Sequence, residues 1–216
     1  MINILGKKSS LLKQYIAELR DVSVQTDSMR FRRNMERIGE IFAYEISKTL
    51  KWKNTEVITP LGSAECQLLS AQPVIATILR AGLPLHQGIL NYFDRAENAF
   101  ISAYRKHHKD NTFSIQVEYT SSPSVEDKYL ILSDPMLATG SSLTLAYKEL
   151  LKRGNPIHTH IVSILASAQG VEYVKKKIPA GNYTLWLGEV DDELTAKAYI
   201  VPGLGDAGDL AFGSKL

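Results

Sequence analysis

The sequence predicts an α/β fold with a mostly parallel sheet of about five strands flanked by helices. Short apolar runs rich in Ile, Val, Leu and aromatic residues recur from residue 74 onward, which is typical of strands buried on both faces. Helix-like segments separate several of these runs, and an alternation of strands and helices favours a parallel sheet. With 216 residues, the chain is long enough for one domain with a sizeable core.

Residues 9–50 are expected to form two helices. The second carries apolar residues at spacings that form one helical face, which we expect to join the core. These residues are Met35, Ile38, Ile41, Phe42, Tyr44 and Ile46. The opposite face gathers Arg30, Arg32, Arg33 and Arg37. These arginines could meet an anionic partner, but a solvated surface is the commoner explanation, and we assign them no catalytic role.

Residues 51–72 are expected to form a β-arm. Two strand-like stretches, 55–59 and 65–69, flank the turn-forming residues Pro60, Leu61 and Gly62, and this pattern predicts a hairpin. The chain's single cysteine, Cys66, lies in this arm. Because no histidine in the sequence suggests itself as a partner, we do not expect Cys66 to act as a nucleophile.

Five buried strands are expected in the core, which spans residues 73–190. They are Val74–Leu79, Ala99–Tyr104, Tyr129–Ser133, Ile157–Leu165 and Tyr183–Leu187. Helices are expected near Ser142–Arg153 and Val171–Lys177. The tail after residue 198 is rich in Gly and Pro, yet mixed enough in composition to indicate a shaped loop in place of a flexible linker.

Composition excludes several classes of protein. Lys and Arg number 25 against 23 Asp and Glu, a formal net charge of +2, so any phosphate-binding site must be local. One cysteine allows neither an internal disulfide nor a zinc finger, and the reducing cytoplasm is the expected location. No apolar stretch approaches the roughly 18 residues that span a bilayer, so we expect no membrane association.

One segment combines a buried strand, an acid, a short hydroxyl-rich loop and the start of a helix. The strand ends at Asp134, and Thr139, Ser141 and Ser142 follow in the loop. Free backbone N–H groups and the dipole at a helix N-terminus attract phosphate, and the hydroxyls can donate to it. The carboxylate would repel phosphate unless it faces ribose hydroxyls or a metal, so the pattern predicts a phosphorylated sugar ligand. The alternative is an ordinary strand–turn–helix with a serine cap.

This segment closely resembles the phosphoribosyl diphosphate signature of type I phosphoribosyltransferases, in the wording of the uracil phosphoribosyltransferase branch. The matching loop consists of Asp134, Pro135, Met136, Leu137, Ala138, Thr139, Gly140, Ser141 and Ser142. The resemblance extends to residues 78–83, to Tyr104 and Arg105, and to residues 199–209. It implies a type I phosphoribosyltransferase fold in which these loop residues bind phosphoribosyl diphosphate.

Two arginines are implied by the same resemblance as ligands of the diphosphate. Arg80 follows one predicted strand and Arg105 ends the next. A guanidinium stays charged at any working pH and grips two phosphate oxygens at once. Without the surrounding motifs, either arginine would be taken for a member of a surface ion pair. The resemblance also implies a cis peptide bond between Leu79 and Arg80.

The tail is implied to form a C-terminal hood, residues 191–216, that binds uracil. Backbone groups at Ile200, Gly205 and Ala207 would read the base, since a rigid Gly- and Pro-rich loop loses little entropy on binding. The resemblance places Asp206 near both the base and the ribosyl diphosphate. Its alternative role is that of a turn-stabilising Asp that bonds its own backbone.

The implied reaction is attack of uracil N1 on C1 of 5-phospho-α-D-ribose 1-diphosphate, which gives UMP and diphosphate. Asp134, Asp206 and Arg105 are the implied catalytic residues. Mg²⁺ is the implied cofactor and is carried mainly by the diphosphate, so we expect no dedicated metal site in the protein.

Three features depart from the family pattern. Ser141 stands where a second glycine is usual, Thr195 replaces an asparagine, and the loop after Arg105, residues 106–122, differs throughout. The first residues of that loop read as an exposed basic segment around His107–Lys109. Elsewhere, His158 and His160 alternate along a predicted strand; a metal could use this spacing, but packing is the commoner reason for it.

These features together predict one catalytic domain over residues 1–216, with N-terminal helices to residue 50. The apolar helix and the arm suggest a homodimer or a higher homo-oligomer. One alternative function is a non-catalytic, phosphoribosyl diphosphate-sensing regulator that binds RNA. The balanced charge and the lack of a clear aromatic and basic surface argue against nucleic acid as a partner. Another alternative is a phosphoribosyltransferase for a different base.

Overall fold

The computed structural model describes residues 1–107 and 113–214, and the side chains of these except 104–107 and 113–117. Helices α1–α6 span Leu11–Arg20, Ser28–Ser47, Leu83–Tyr92, Ser141–Leu150, Ala168–Lys177 and Ala207–Phe212. Strands β1–β6 span Ile2–Ile4, Trp52–Thr59, Gly62–Leu69, Val74–Leu79, Glu97–His107 and Phe113–Ser121. Strands β7–β12 span Tyr129–Ser133, Met136–Leu137, His158–Ser167, Tyr183–Asp191, Glu193–Leu194 and Ile200–Val201.

The central sheet has eight strands, in the order β1, β10, β9, β7, β4, β5 and β6, with β8 pairing to β9. All of its pairs are parallel except β5 with β6. The five predicted core strands are β4, β5, β7, β9 and β10, so the mostly parallel α/β architecture is confirmed. The sequence analysis missed β1, β6 and β8. It treated residues 106–122 as a loop, which is wrong for 113–121, because these residues pair with β5 as a strand.

Helices cover both faces of the sheet and give the molecule two hydrophobic layers. On one face α1, α2 and α3 pack against residues such as Ile75, Ile131 and Val162. On the other face α4 and α5 pack against Val74, Leu130 and their neighbours. Strands enclosed in this way must be apolar on both sides, which is why they appear in the sequence as continuous hydrophobic runs. Along the described residues, no helix combines the length and apolarity that crossing a bilayer requires.

The apolar face of α2 is confirmed for four of its six predicted members. Met35, Ile38, Phe42 and Ile46 are fully buried, and Ile41 packs against the same cluster from a partly buried position. The prediction is wrong for Tyr44, whose side chain is 55% exposed. Two residues after Phe42, it lies about 200° around the helix, on the far side from the core.

The four arginines of α2 contact partners within the chain. Arg30 pairs with Glu18 at 3.0 Å and Arg33 with Glu36 at 2.6 Å, while Arg37 donates to Asn34. Arg32 Nη1 donates to the carbonyl of Ala211 at 2.7 Å, and thereby ties α2 to α6. These intramolecular contacts give the four arginines a structural role, so no anionic partner is needed to explain them.

Strands β2 and β3 form a two-stranded antiparallel sheet of their own, so the predicted hairpin is confirmed. Thr59 pairs with Gly62 at the turn, and each strand extends beyond the predicted stretch. The tip is apolar as well as exposed: Leu61 is fully exposed and Ile58 is 80% exposed. Cys66 is half-buried in β3.

Candidate active site

The candidate site lies at the carboxyl edge of β4 and β7, two strands that pair in parallel. Arg80 follows β4 and Asp134 follows β7, so the two side chains begin at neighbouring points of one edge. In open α/β sheets this edge is where ligands bind. A cavity of about 180 Å³ opens there, and the loop before α4, the Arg80 loop and the C-terminal segment all line it.

Most of the residues implied by the resemblance line this cavity. They are Arg80, Asp134, Met136, Leu137, Ala138, Thr139, Gly140, Ser142, Ile200, Gly205, Asp206 and Ala207. Pro135 and Ser141 belong to the same loop but do not contribute to the lining. Arg105 lies in β5, opposite Ile115, and its side chain lies outside the described residues. The predicted basic segment His107–Lys109 falls mostly outside them as well.

Buried hydroxyls hold the strand ends under the cavity, and the sequence analysis missed them. Ser133 Oγ donates to the Ala76 carbonyl at 3.2 Å, and Thr77 Oγ1 donates to the Ser133 carbonyl at 3.2 Å. Ser163 Oγ donates to the Asp134 carbonyl at 2.6 Å. These hydroxyls join β4, β7 and β9, so they fix where Asp134 leaves the sheet. Their only sequence signal is a polar residue inside an otherwise apolar run.

Asp134 lies at the floor of the cavity. Burial raises the pKa of its carboxyl group to about 7, and the Met136 N–H, which donates to Oδ1 at 3.3 Å, opposes only part of this effect. An isolated carboxylate is costly in such a place. The site therefore favours a ligand that supplies hydrogen-bond donors or positive charge to Asp134.

The loop from Ala138 to Gly140 leads directly into α4. Ser167 Oγ donates to the Ala138 carbonyl at 2.6 Å and accepts from the Gly170 N–H, so the loop is bound to the start of α5. Gly140 precedes α4 with a φ of +79°, a conformation that favours glycine. A Cβ atom there would lie 3.0 Å from the Gly170 carbonyl oxygen.

The N-terminus of α4 faces the cavity with backbone and hydroxyl donors. The N-cap residue, Gly140, has no side chain to cap the helix, while the Ser141 N–H donates to Thr139 Oγ1 at 3.4 Å and Ser142 lines the cavity. Thr139 Oγ1 donates to Ser141 Oγ at 3.2 Å, so the serine that replaces the usual glycine joins a hydroxyl pair in the loop. A helix start with free N–H groups and nearby hydroxyls is suited to bind a phosphate.

Arg80 connects the cavity to the C-terminal segment. Its Nη2 donates to Asp209 Oδ1 at 3.3 Å and to the Gly213 carbonyl at 3.1 Å. Its Nε is buried and has no hydrogen-bond partner among the described residues. The peptide bond between Leu79 and Arg80 is cis, as the resemblance implied. A guanidinium with an unsatisfied donor beside the cavity is suited to an anionic ligand.

The C-terminal segment covers the opposite side of the cavity. Strands β11 and β12 form a short antiparallel pair. The peptide bond between Val201 and Pro202, at the end of β12, is cis. Thr195 Oγ1 accepts from the Tyr199 N–H at 3.1 Å, so its hydroxyl supports the turn between these strands. The Thr195 side chain therefore has a structural role in the C-terminal segment.

Asp206 adopts the role of a helix cap. Its Oδ1 accepts from the N–H groups of Gly208 and Asp209 at 2.9 and 3.0 Å, which starts α6. Asp206 therefore makes the hydrogen bonds of a turn-stabilising Asp, which is the alternative role given for it above. Asp206 also lines the cavity, so the residue that starts α6 lies at the candidate site.

His158 and His160 contact neighbouring side chains. His158 Nε2 lies 2.9 Å from Thr184 Oγ1, and Trp186 Nε1 donates to His160 Nδ1 at 3.1 Å. Burial lowers the pKa of His160 to about 3, so its ring is neutral. In the described part of the chain, no three His, Cys, Asp or Glu side chains come together to hold a metal.

A parallel sheet that carries an acid-and-hydroxyl loop at its carboxyl edge, under a C-terminal covering segment, is the arrangement of type I phosphoribosyltransferases. A hypoxanthine phosphoribosyltransferase from Staphylococcus aureus shares the fold, with a TM-score of 0.50, 16% identity and 76% of each chain covered. Within that class, this chain belongs to the uracil phosphoribosyltransferase family, whose family model matches residues 6–214.

Relatives match along nearly the whole chain. A uracil phosphoribosyltransferase from Porphyromonas gingivalis is 57% identical over 212 residues, which cover 98% of each chain. One from Thermococcus gammatolerans is 38% identical over 211 residues, covering 96% of this chain and 92% of the relative. A solved protein structure from Aquifex aeolicus superposes over 100% of both chains with a TM-score of 0.87 and 28% identity.

Proposed function

We propose that this protein transfers the 5-phosphoribosyl group from 5-phospho-α-D-ribose 1-diphosphate to uracil and releases UMP and diphosphate. The observation that carries the proposal is one cavity with two unlike walls in a chain that matches the uracil phosphoribosyltransferase family over residues 6–214. One wall offers phosphate and sugar contacts, and the other offers backbone groups on a Gly- and Pro-rich segment. Neither an RNA-binding regulator nor another base receives support from the family match.

Phosphoribosyl diphosphate binds along the first wall. Its 5′-phosphate accepts from the N-terminus of α4 and from the hydroxyls of Thr139 and Ser142. Its ribose hydroxyls donate to Asp134, which relieves the cost of desolvating that carboxylate. Its diphosphate binds Arg80, whose guanidinium lines the cavity, and Arg105, which the resemblance implies as a second guanidinium.

Uracil binds against the second wall. Its O2, N3–H and O4 edge requires donors and an acceptor at fixed spacing, and backbone groups at Ile200, Gly205 and Ala207 supply them. All three residues line the cavity. Backbone groups on a constrained loop lose little freedom on binding, so the base is read without polar side chains.

The chemical step forms the N1–C1 bond of UMP and breaks the bond from C1 to the diphosphate oxygen, which leaves with the bonding electrons. The proton of uracil N1 departs to solvent. A cationic, oxocarbenium-like sugar lies between the two states, and the carboxylate of Asp206 stabilises it and helps orient the base. Arg80 and Arg105 stabilise the charge that collects on the leaving diphosphate, so the protein acts chiefly through position and electrostatics.

Asp134 and Asp206 are the residues that would contact a Mg²⁺ ion carried by the diphosphate. The cavity offers it carboxylate oxygens from Asp134 and Asp206, and the described residues contain no cage of three ligands. This donor set fits an ion that prefers to keep several waters and to share phosphate oxygens. When bound, the ion offsets negative charge on the departing diphosphate.

The test is an incubation of the purified protein with phosphoribosyl diphosphate, Mg²⁺ and one base at a time: uracil, cytosine, hypoxanthine or orotate. We expect UMP from uracil and no comparable nucleotide from the other three. Absence of UMP from protein whose circular dichroism shows it to be folded overturns the proposal. Formation of a different nucleotide assigns the enzyme to another base.

We also propose that residues 1–216 act as a single catalytic domain in which 191–216 are the hood. The protein is expected to work as a homodimer in the cytoplasm. The exposed apolar side chains at the tip of the hairpin, Ile58 and Leu61, support self-association, because they offer an apolar surface that a second copy can cover.

A further inference from the structure

A charged cluster behind the hood connects it to the first helix of the chain. Arg20, the last residue of α1, donates through both Nη atoms to the two carboxylate oxygens of Asp191, at 2.8 Å each. Its Nη2 also donates to Glu189 Oε2 at 3.0 Å. Such paired bonds between a guanidinium and a carboxylate fix direction as well as distance.

The cluster ends on the backbone of the hood. Arg20 Nη1 donates to the Gly203 carbonyl at 2.9 Å, and the Gly203 N–H donates to Asp191 Oδ2 at 3.0 Å. Both backbone groups of one residue are thus bound by the two members of one ion pair. A few residues after α1, Gln25 Nε2 donates to the neighbouring Leu204 carbonyl at 3.2 Å.

Gly203 is the residue on which the shape of this loop depends. Its φ is +56°, and a Cβ atom there would lie 2.1 Å from the Ile200 carbonyl oxygen. The cis Val201–Pro202 bond lies immediately before it. Along the chain, Gly203 lies between Ile200 and Gly205, the two cavity residues whose backbone groups face the base in the proposed function.

Burial gives the cluster its strength. Asp191 is only 8% exposed, and the side chain of Arg20 is 20% exposed. Burial alone would raise the pKa of Asp191, but hydrogen bonds from Arg20 and from the Gly203 N–H outweigh it and hold the pKa below its usual value. Asp191 therefore stays ionised, and the loss of either partner would leave the other poorly paired.

We propose that Arg20 and Asp191 are positioning residues that set the backbone of 200–205 for base recognition. This inference rests on the proposed function, because it assumes that the hood reads the base. Neither side chain lines the cavity, so both act through Gly203. The competing explanation is an ion pair that merely fastens α1 to β10, with no effect on recognition.

The experiment compares Asp191→Asn and Arg20→Lys with the wild type in steady-state kinetics. Asn keeps the shape of Asp191 but not its charge, and Lys cannot reproduce the paired geometry of Arg20. We expect the KM for uracil to rise roughly tenfold or more, as the loss of hydrogen bonds to a charged group implies. The KM for phosphoribosyl diphosphate should change less than about twofold, because the first wall is untouched.

Two control variants also remove a charged group from an ion pair, but neither of the changed side chains contacts Gly203. Glu189→Gln removes one partner of Arg20, and Arg30→Ala breaks the exposed ion pair between α2 and Glu18. Both should keep the wild-type KM for uracil. Hydrogen exchange of peptides covering 198–206 gives a readout without activity: it should accelerate in Asp191→Asn and stay unchanged in the controls.

An unchanged KM for uracil in both variants, or an equal rise in both KM values, overturns the proposal, as does unchanged exchange at 198–206. Should one variant fail to fold, the other decides by the same KM comparison and by its exchange at 198–206. A wild type that makes no UMP contradicts the proposed function instead, and exchange at 198–206 still tests the positioning role.

Discussion

The desolvation of Asp134 carries an energetic cost that hydrogen-bond donors from a ligand would lower. Its carboxyl group titrates with a pKa of about 7, above the ordinary value of 3.8, because burial disfavours the charged form. The folded protein therefore holds this proton more tightly than the unfolded chain does. Stability from this group is complete below the unfolded pKa and is lost as the pH rises through about 7.

Asp134→Asn should remove this dependence. In the absence of ligand, we expect the melting temperature of the variant to exceed that of the wild type at pH 8. The difference should shrink on acidification and disappear near pH 4, about where Asp134 is protonated in both states. Thermal unfolding at several pH values measures it. A wild type that is the more stable of the two at pH 8 would contradict the assigned burial.

The same variant should lose activity while it gains stability. Asp134→Asn would weaken the proposed contact to the ribose, and Arg105→Ala would remove the positive charge proposed to bind the diphosphate. Each is therefore expected to lower turnover by roughly 10²-fold. The measurement is the rate of UMP formation at saturating substrates, alongside circular dichroism to verify folding. Full turnover in both variants would remove the site assignment.

The sequence could predict Asp134 and its loop because acid, hydroxyls and helix start lie within nine residues. It could not predict that Ser163 and Thr77 hold that loop from below, since their hydrogen bonds cross between strands and depend on the register of the sheet. For Asp206 the sequence analysis offered a place near the ligands and, as the alternative, a turn-stabilising role; the structure combines the two, since Asp206 caps α6 and also lines the cavity.

At the scale of elements, the junction between the loop and α4 depends on one glycine. Gly140→Ala should destabilise the protein by about 1–2 kcal/mol for the left-handed conformation alone. It should cost more in total, because the added Cβ would lie 3.0 Å from both the Gly170 carbonyl and the Tyr173 ring. Equilibrium unfolding in urea measures the loss.

Gly181→Ala is the matched control for this prediction. Gly181 also has a positive φ, +93°, but a Cβ atom there would meet nothing within 4 Å. The difference between the two variants isolates the crowding against α5. Equal losses of stability would show that the loop and α5 can move apart enough to accommodate the added Cβ atom.

The short hairpin of β11 and β12 gives a smaller effect. Thr195→Val removes the oxygen that accepts from the Tyr199 N–H, and we expect a loss of about 0.5–1.5 kcal/mol. Thr195→Ser keeps the oxygen and should stay close to the wild type. Urea unfolding of the pair decides, and equal stability of Val and Ser variants would exclude the hydroxyl as a support.

At the scale of the whole molecule, the exposed hairpin is the feature that a lone protomer explains least. Leu61→Asp at its tip should shift the proposed dimer toward monomer, because a charge would enter an apolar contact. Val22→Asp is the control, since Val22 is also exposed but lies between α1 and α2. Sedimentation velocity measures both, and a wild type that sediments as a monomer would contradict the proposed dimer.

The sequence could predict those strands that are buried on both faces of the sheet. β4, β7, β9 and β10 lie inside the sheet and are mostly apolar, so they stand out as runs. β1 and β6 lie at the edges, and β8 has only two residues, so none of them carries a run of that kind. Tyr44 was misplaced for a related reason: a hydrophobic type was given more weight than its angle around the helix.

The binding of the last helix to two arginines has a practical consequence for handling the enzyme. Arg32 donates to the Ala211 carbonyl, and Arg80, which lines the cavity, donates to the Gly213 carbonyl, so this stretch is bound to a residue of the cavity. An affinity tag or a surface linkage attached just beyond residue 214 would pull on the segment that holds Arg80. The turn before β7, near Asp127, lies on the opposite edge of the sheet and is the better place to immobilise an active enzyme.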